Sequence, residues 1–394
     1  VALLLPRPGA VRSAAAGLER IGMRDWAAGP QPRGAGVFSA LPSLGVSTAF
    51  FPDEGLEADA RAELEGEFDF VPNFTLANPG APVVPCPVAP PDVPGGPEWP
   101  LSGVAQARDR GIRGQGVLVG VLDTGIDADH AEFRRRAIPF RHISLFPNSP
   151  FWPPRDVRGF DPAGHGTHVC GTLGGSGLGI APAARLHVAS VIESETTRTS
   201  LARVAYGLDW MLREFSRPAH RGRPAVLNLS VGFPATDPGV PPAEMRKRLE
   251  ALRRMLATLA EANVLPVVAV GNGGPGHCGY PAAFDEVVAV GAVDFDLNRA
   301  AFSGSGDGLP GRPKPDLVGY GVGIRSASER DFRGRSQYTC REGTSMAAPY
   351  VSGIAALYRS WKPHLSVSET IRLLTDTALP CGPSTGAGLA RFVP

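Results

Sequence analysis

Three short segments carry side chains suited to act together as a nucleophile, its base and the base's partner. They are Val121-Leu122-Asp123-Thr124-Gly125, Gly164-His165-Gly166-Thr167-His168 and Gly343-Thr344-Ser345-Met346-Ala347-Ala348-Pro349. A serine hydroxyl attacks a carbonyl when a base takes its proton, and an imidazole base needs a carboxylate to fix its tautomer and balance its charge. Taken singly, each residue has a plainer explanation. Asp-Thr-Gly is a common turn. His165 and His168 could form a metal pair on one helical face, although the motif holds no glutamate and no third ligand lies nearby. Ser345 could simply cap a helix. That same position offers free N–H groups and the positive end of the helix dipole, which favour an oxyanion beside the hydroxyl. Asn272 follows Val267–Gly271 and could donate to that oxyanion, with the Ser345 N–H as second donor; Asn-Gly-Gly-Pro reads equally well as a turn.

The elements around these residues set their positions. From Leu101 onward, β-branched apolar runs alternate with helical patterns. Val117–Leu122, Arg185–Val191, Ala225–Leu229, Val264–Val270 and Val287–Val293 read as strands covered on both faces. Leu201–Glu214, Pro242–Ala262, Thr344–Trp361 and Ser366–Thr377 read as helices. The expected class is α/β, a doubly wound and mostly parallel sheet over residues 101–394, with Asp123 at the carboxyl end of an interior strand. Pro349 is placed in the first turn of its helix, where a missing N–H costs little.

Residues 1–78 read as a separate, small α+β domain. Val1–Leu5, Gly36–Leu41, Gly45–Phe51 and Phe68–Val71 are strand-like, with helices over Ser13–Ile21 and Leu56–Leu64. This is the β-α-β-β-α-β order of ferredoxin-like folds. Met23–Ala27 competes with Gly36–Leu41 for the second strand. Residues 79–100 hold nine prolines and read as a linker kept out of sheets by missing N–H groups.

Bulk properties exclude several classes. The formal net charge of +1 offers no field for nucleic acid or an anionic membrane, and no run approaches the ~18 apolar residues of a membrane span. Five scattered cysteines leave at least one unpaired within the chain, and none has metal-ligand spacing. Free thiols or one incidental disulfide are expected. The chain starts at Val1. Secretion is expected if an upstream signal has been removed, and a cytoplasmic location otherwise.

From Gly116 to about Leu389 the chain resembles the subtilases, subtilisin-like serine endopeptidases. Val121–Ile126, Gly164–Thr172, Asn228–Gly232, Val270–Gly273 and Gly343–Pro349 match in order, as do Gly179-Ile180-Ala181-Pro182, Tyr280-Pro281-Ala282 and Gly386-Ala387-Gly388-Leu389. The Asp, His, Ser chain order is itself that of subtilisin. The resemblance implies Asp123, His165 and Ser345 as the triad, Asn272 as oxyanion donor and His168 as a structural histidine. It implies an extended peptide or protein substrate on Leu229, Ser230, Val231 and Gly232, with Ala269, Val270 and Gly271 as the opposite wall and Thr197, Arg198 and Thr199 as the other edge. These segments, Arg198 apart, hold no charge, so a sizeable apolar P1 residue is expected.

The first domain resembles the subtilase propeptide by pattern and order, an intramolecular chaperone and inhibitor lying in its own active-site cleft. Phe74–Pro79, or part of the proline-rich stretch, would enter that cleft. No cofactor is expected. The loop that often binds calcium in subtilases is reduced here to Gly174–Leu178 without a carboxylate, which leaves only other calcium sites open. Two rivals remain: a peptide ligase or macrocyclase using the same acyl-enzyme, and a non-catalytic peptide-binding module.

Overall fold

The computed structural model describes residues 1–26, 35–73, 75–76, 82–86, 99–144, 155–193, 199–233, 240–308 and 311–394. Its centre is an eight-stranded sheet. In spatial order the strands are Arg155–Asp156, Phe140–His142, Arg185–Ser190, Leu118–Asp123, Ala225–Leu229, Val264–Ala269, Val288–Val293 and Leu317–Tyr320. All neighbours pair in parallel except the first two. Along the central strand the side chains divide by parity: Val119 and Val121 enter one core, Leu118 and Leu122 the other. A period of two on a strand buried on both sides requires this division.

Helices His165–Gly174 and Thr344–Trp361 fill the first core, and Leu201–Phe215 and Pro242–Glu261 the second. The Thr344–Trp361 helix is buried from Thr344 to Arg359. Its small residues let it lie close to the sheet. A Cβ on Gly319 would come within 2.7 Å of the Ala347 carbonyl oxygen, and one on Gly353 within 2.4 Å of Ile180.

The amino-terminal strands form a sheet of their own, ordered Arg24–Asp25, Val37–Leu41, Val46–Phe50, Ala2–Pro6, Phe68–Pro72. Helices Ala14–Arg20 and Glu54–Glu63 belong to the same region. Leaving aside Arg24–Asp25, this is the antiparallel order that the ferredoxin-like pattern requires. Both competing segments for the second strand are used. Val37–Leu41 takes the ladder position beside Val46–Phe50, and Arg24–Asp25 adds a short parallel edge.

This small sheet is buried on both faces. Leu4 packs with Ala14, Leu18 and Phe38 in its own core. Its neighbours Leu3 and Leu5 join Leu41, Val46 and Val71 against the large domain. Ser43 N–H donates to Asp209 at 2.8 Å, Thr48 Oγ1 lies 2.8 Å from Tyr206 Oη, and Arg254 donates to the Pro6 carbonyl at 2.8 Å.

The proline-rich stretch departs from the linker expectation where it is described. Val83–Val84 pairs antiparallel with Cys340–Arg341 and becomes the third strand of a sheet with Ile324–Ser328 and Gln337–Arg341. Both valines keep their N–H groups, and a two-residue edge strand tolerates the flanking Pro82 and Pro85. Cys86 is disulfide-bonded to Cys340, while Cys170, Cys278 and Cys381 are free.

Candidate active site

Asp123 closes its strand and projects from the sheet's carboxyl end. Its Oδ1 accepts the Thr124 N–H at 2.7 Å and lies 2.7 Å from His165 Nδ1. Both side chains are fully buried. A carboxylate only accepts hydrogen bonds, so Nδ1 carries the proton and Nε2 presents its lone pair. His165 opens its helix one residue after Gly164, whose φ is 74°. Thr124 Oγ1 accepts the Gly166 N–H at 2.8 Å, and Asp161 accepts both the N–H and the Oγ1–H of Thr167 at 2.7 Å. Gly166 leaves no room for a side chain, since a Cβ there would sit 2.2 Å from the Gly125 carbonyl oxygen.

Ser345 is the second residue of its helix, so its N–H has no acceptor within the helix. Its hydroxyl donates to the Ser230 carbonyl at 3.1 Å. Leu229 pairs with Leu122, so Ser230 stands level with Asp123 one strand away. Pro349 lies inside the helix, in the second turn, and not in the first as expected. It sits four residues after Ser345 and has no N–H to offer the Ser345 carbonyl. Ser230 Oγ supplies the missing donor at 3.0 Å. Asn228 Nδ2 donates to Ser230 Oγ at 2.9 Å, and Ser352 Oγ donates to Asn228 Oδ1 at 2.9 Å. Ser230 therefore grips the Ser345 backbone with its side chain and the Ser345 side chain with its carbonyl.

The Asn272 Oδ1 accepts from both the N–H and the hydroxyl of Thr344, each at 2.9 Å. These two donors fix the amide's orientation and leave Nδ2 as the end with hydrogens to give. Thr344 Oγ1 also accepts the Gly271 N–H at 3.2 Å.

The expected pocket walls come together. A Cβ on Gly232 would lie 3.8 Å from the Ala269 carbonyl oxygen and 3.9 Å from Gly271 Cα. Leu229, Val231 and Val270 are buried around them, and Ser230 turns its hydroxyl into the fold. Thr199 is in a short strand, and Thr199–Ser200 pairs antiparallel with Thr75–Leu76. Thr197 and Arg198 fall outside the described residues.

A family model described as the subtilase family matches residues 114–391. The chain belongs to that family. The chain is 50% identical over 375 residues to subtilisin-like protease PopC of Myxococcus xanthus strain DK1622, covering 91% of this chain and 77% of that protein. It is 35% identical over 300 residues to subtilisin Savinase of Lederbergia lenta, covering 74% and 95%. Among solved structures, a cold adapted subtilisin-like serine proteinase superposes with a TM-score of 0.54 at 28% identity, covering 71% of this chain and 88% of that one. The protein is a subtilisin-like serine endopeptidase, a hydrolase acting on peptide or protein substrates.

Many subtilases bind calcium, and the corresponding loop here is the short Gly174–Leu178. Glu132 Oε2 accepts the Gly177 and Leu178 N–H groups at 2.6 and 3.3 Å, and Oε1 accepts the Tyr338 hydroxyl at 3.2 Å. Hydrogen-bond donors surround this carboxylate where a cation would need oxygens, so the loop does not fit calcium. Among the described residues, no group of three or more His, Cys, Asp and Glu could hold a metal. No helix there is long and apolar enough to cross a membrane.

His168 belongs to the structure around the site. Its Nε2 lies 2.9 Å from the Ile324 carbonyl oxygen. Burial, with help from Arg341 and His165, lowers its pKa to about 3. Thr344 and Ser352 are residues the sequence reading left without a role. Ser352 could have been noticed, because it stands seven residues beyond Ser345, on the same helical face, in an otherwise apolar stretch.

Proposed function

We propose that Ser345 is the nucleophile of this endopeptidase, with His165 as base, Asp123 as its partner and Asn272 as oxyanion donor. The observation that carries this reading is the buried 2.7 Å contact between Asp123 Oδ1 and His165 Nδ1, which leaves Nε2 basic. The Ser345 hydroxyl swings from the Ser230 carbonyl to Nε2, gives up its proton and attacks the peptide carbonyl. Charge develops on the carbonyl oxygen, where Asn272 Nδ2 and the Ser345 N–H are ready to donate. His165 then protonates the leaving amine, and water releases the acyl-enzyme.

The acyl half of the substrate lies extended between Leu229–Gly232 and Ala269–Gly271, with Thr197–Thr199 as its other edge, and a sizeable apolar side chain fills P1. A panel of fluorogenic peptides tests this; strongest cleavage after Asp or Lys overturns it.

Residues 1–78 act as chaperone and inhibitor of the domain that follows. The support is twofold. Leu3, Leu5, Leu41, Val46 and Val71 share a core with the large domain's helices, a contact that favours those helices as they form. Asn73 Oδ1 accepts the Ala202 N–H at 2.9 Å, and Thr75–Leu76 adds a strand to the Thr199–Ser200 edge, where substrate would lie.

Intact mass over time, with product masses from one defined peptide, tests the reading. Hydrolysed products and a chain that loses its first domain are expected. A joined, water-free product overturns hydrolysis in favour of ligation. Tight peptide binding without products supports the binding module.

A further inference from the structure

The segment Pro82–Cys86 is bound beside the nucleophile in a way the protease reading does not use. Val83 and Val84 pair with Arg341 and Cys340, and the Glu342 N–H donates to the Pro82 carbonyl at 3.3 Å. Glu342 stands three residues before Ser345. Pro82–Val84 is thereby tied to the strand that leads into the Ser345 helix. Thr75–Leu76 lies on the Thr199–Ser200 edge, where the proposed function puts the acyl half of a substrate.

Side-chain burial does not hold this strap. Val83 is 61% exposed, and Pro82 and Pro85 are exposed. One edge contact of two residues and a single further bond return less than ordering five residues costs. Among the described residues, the remaining attachment is the Cys86–Cys340 disulfide. Cys340 is buried within the strand leading to Ser345, while Cys86 is half-buried.

We propose that the Cys86–Cys340 disulfide is a thiol-exchange site that latches Pro82–Cys86 across the leaving-group half of the cleft, so that a dithiol reductant opens the enzyme to long substrates. This rests on the protease reading above. The exchange balances. A reductant thiolate attacks Cys86 Sγ, the S–S bond breaks, and the electron pair leaves on Cys340 Sγ, which takes a proton from water. The reductant's second thiol then attacks the mixed disulfide, releases Cys86 as a thiol and leaves the reductant as its own disulfide. Two electrons pass from the dithiol to the protein.

The latch acts on substrates with residues beyond the scissile bond and spares those without them. A strap occupying its site about nine-tenths of the time raises KM for a long peptide about tenfold. The test uses the full chain. First, hydrogen exchange is followed in the Ser345→Ala chain with and without dithiothreitol. Loss of protection confined to residues 82–86 and 337–342 is expected; unchanged protection there overturns the latch. Second, wild type with and without dithiothreitol, and Cys86→Ser, are assayed on an internally quenched peptide and on a peptidyl nitroanilide. About a tenfold fall in KM for the long peptide alone is expected. Equal changes on both substrates, or none on either, overturn the latch. If no form turns over either substrate, the first domain still closes the acyl side, and the exchange data alone decide the latch.

Discussion

Pro349 and Ser230 offer a test of how the nucleophile is held. Pro349 deprives the Ser345 carbonyl of its helical donor, and Ser230 Oγ replaces it at 3.0 Å. Ser230→Ala leaves that carbonyl buried without a donor, a cost of about 1–3 kcal/mol. Pro349→Ala restores an N–H four residues along, so in that background the same substitution loses mainly the partner of Asn228, about 1 kcal/mol. The two substitutions should therefore couple by about 1–3 kcal/mol, with Pro349→Ala rescuing Ser230→Ala. The assay is urea unfolding of all four combinations on a Ser345→Ala background, so that no chain digests another. In the active background, Ser230→Ala should lower kcat more than it raises KM, because the hydroxyl loses its fixed backbone. If Ser230→Ala costs the same with proline or alanine at 349, the carbonyl argument is wrong.

Thr344→Val should lower kcat about 3- to 10-fold with little change in KM, as about 1 kcal/mol of orientation is lost from Asn272. Added to Asn272→Ala it should do almost nothing more; an equal further loss would show that Thr344 acts elsewhere. Gly166→Ala should destabilise the fold by about 3 kcal/mol by driving a methyl into the Gly125 carbonyl, read by thermal or urea unfolding. Glu132→Ala should cost about 2–4 kcal/mol by the same measurement, since two loop amides and the Tyr338 hydroxyl lose their acceptor together. His168 is neutral when folded, its pKa lowered to about 3 from the ordinary 6.5. The unfolded chain therefore binds the extra proton, and this group's contribution falls as pH drops from 6.5 toward 3, by about 1.4 kcal/mol per pH unit. Stability of His168→Gln, measured against pH by urea unfolding, should lack that part of the slope.

Much of this was legible in the sequence because the signals were strong and local. The strands around Asp123 are β-branched and buried on both faces, and their ends fall within a residue or so of the apolar runs. The continuous apolar run Val1–Leu5 also carries a meaning that periodicity alone does not give. It reads as a strand, but its lack of alternation also marks a sheet that needs a second partner, which the large domain supplies. What escaped depended on distant contacts. Val83–Val84 is too short and too proline-flanked to announce a strand, and Cys86 and Cys340 are 254 residues apart. Pro349 looked harmless when counted into the first turn, although a helix starting at Thr344 makes it the sixth residue. One turn of error hid the need for Ser230.

The central claim is that Asp123, His165 and Ser345 work as one unit. The most direct measurement is kcat/KM on a peptidyl nitroanilide for Ser345→Ala, His165→Ala and the double variant. Both single variants should fall to one common floor, and the double should fall no further. Losses that multiply, or a single variant that keeps wild-type turnover, would mean that Ser345 and His165 do not share one reaction.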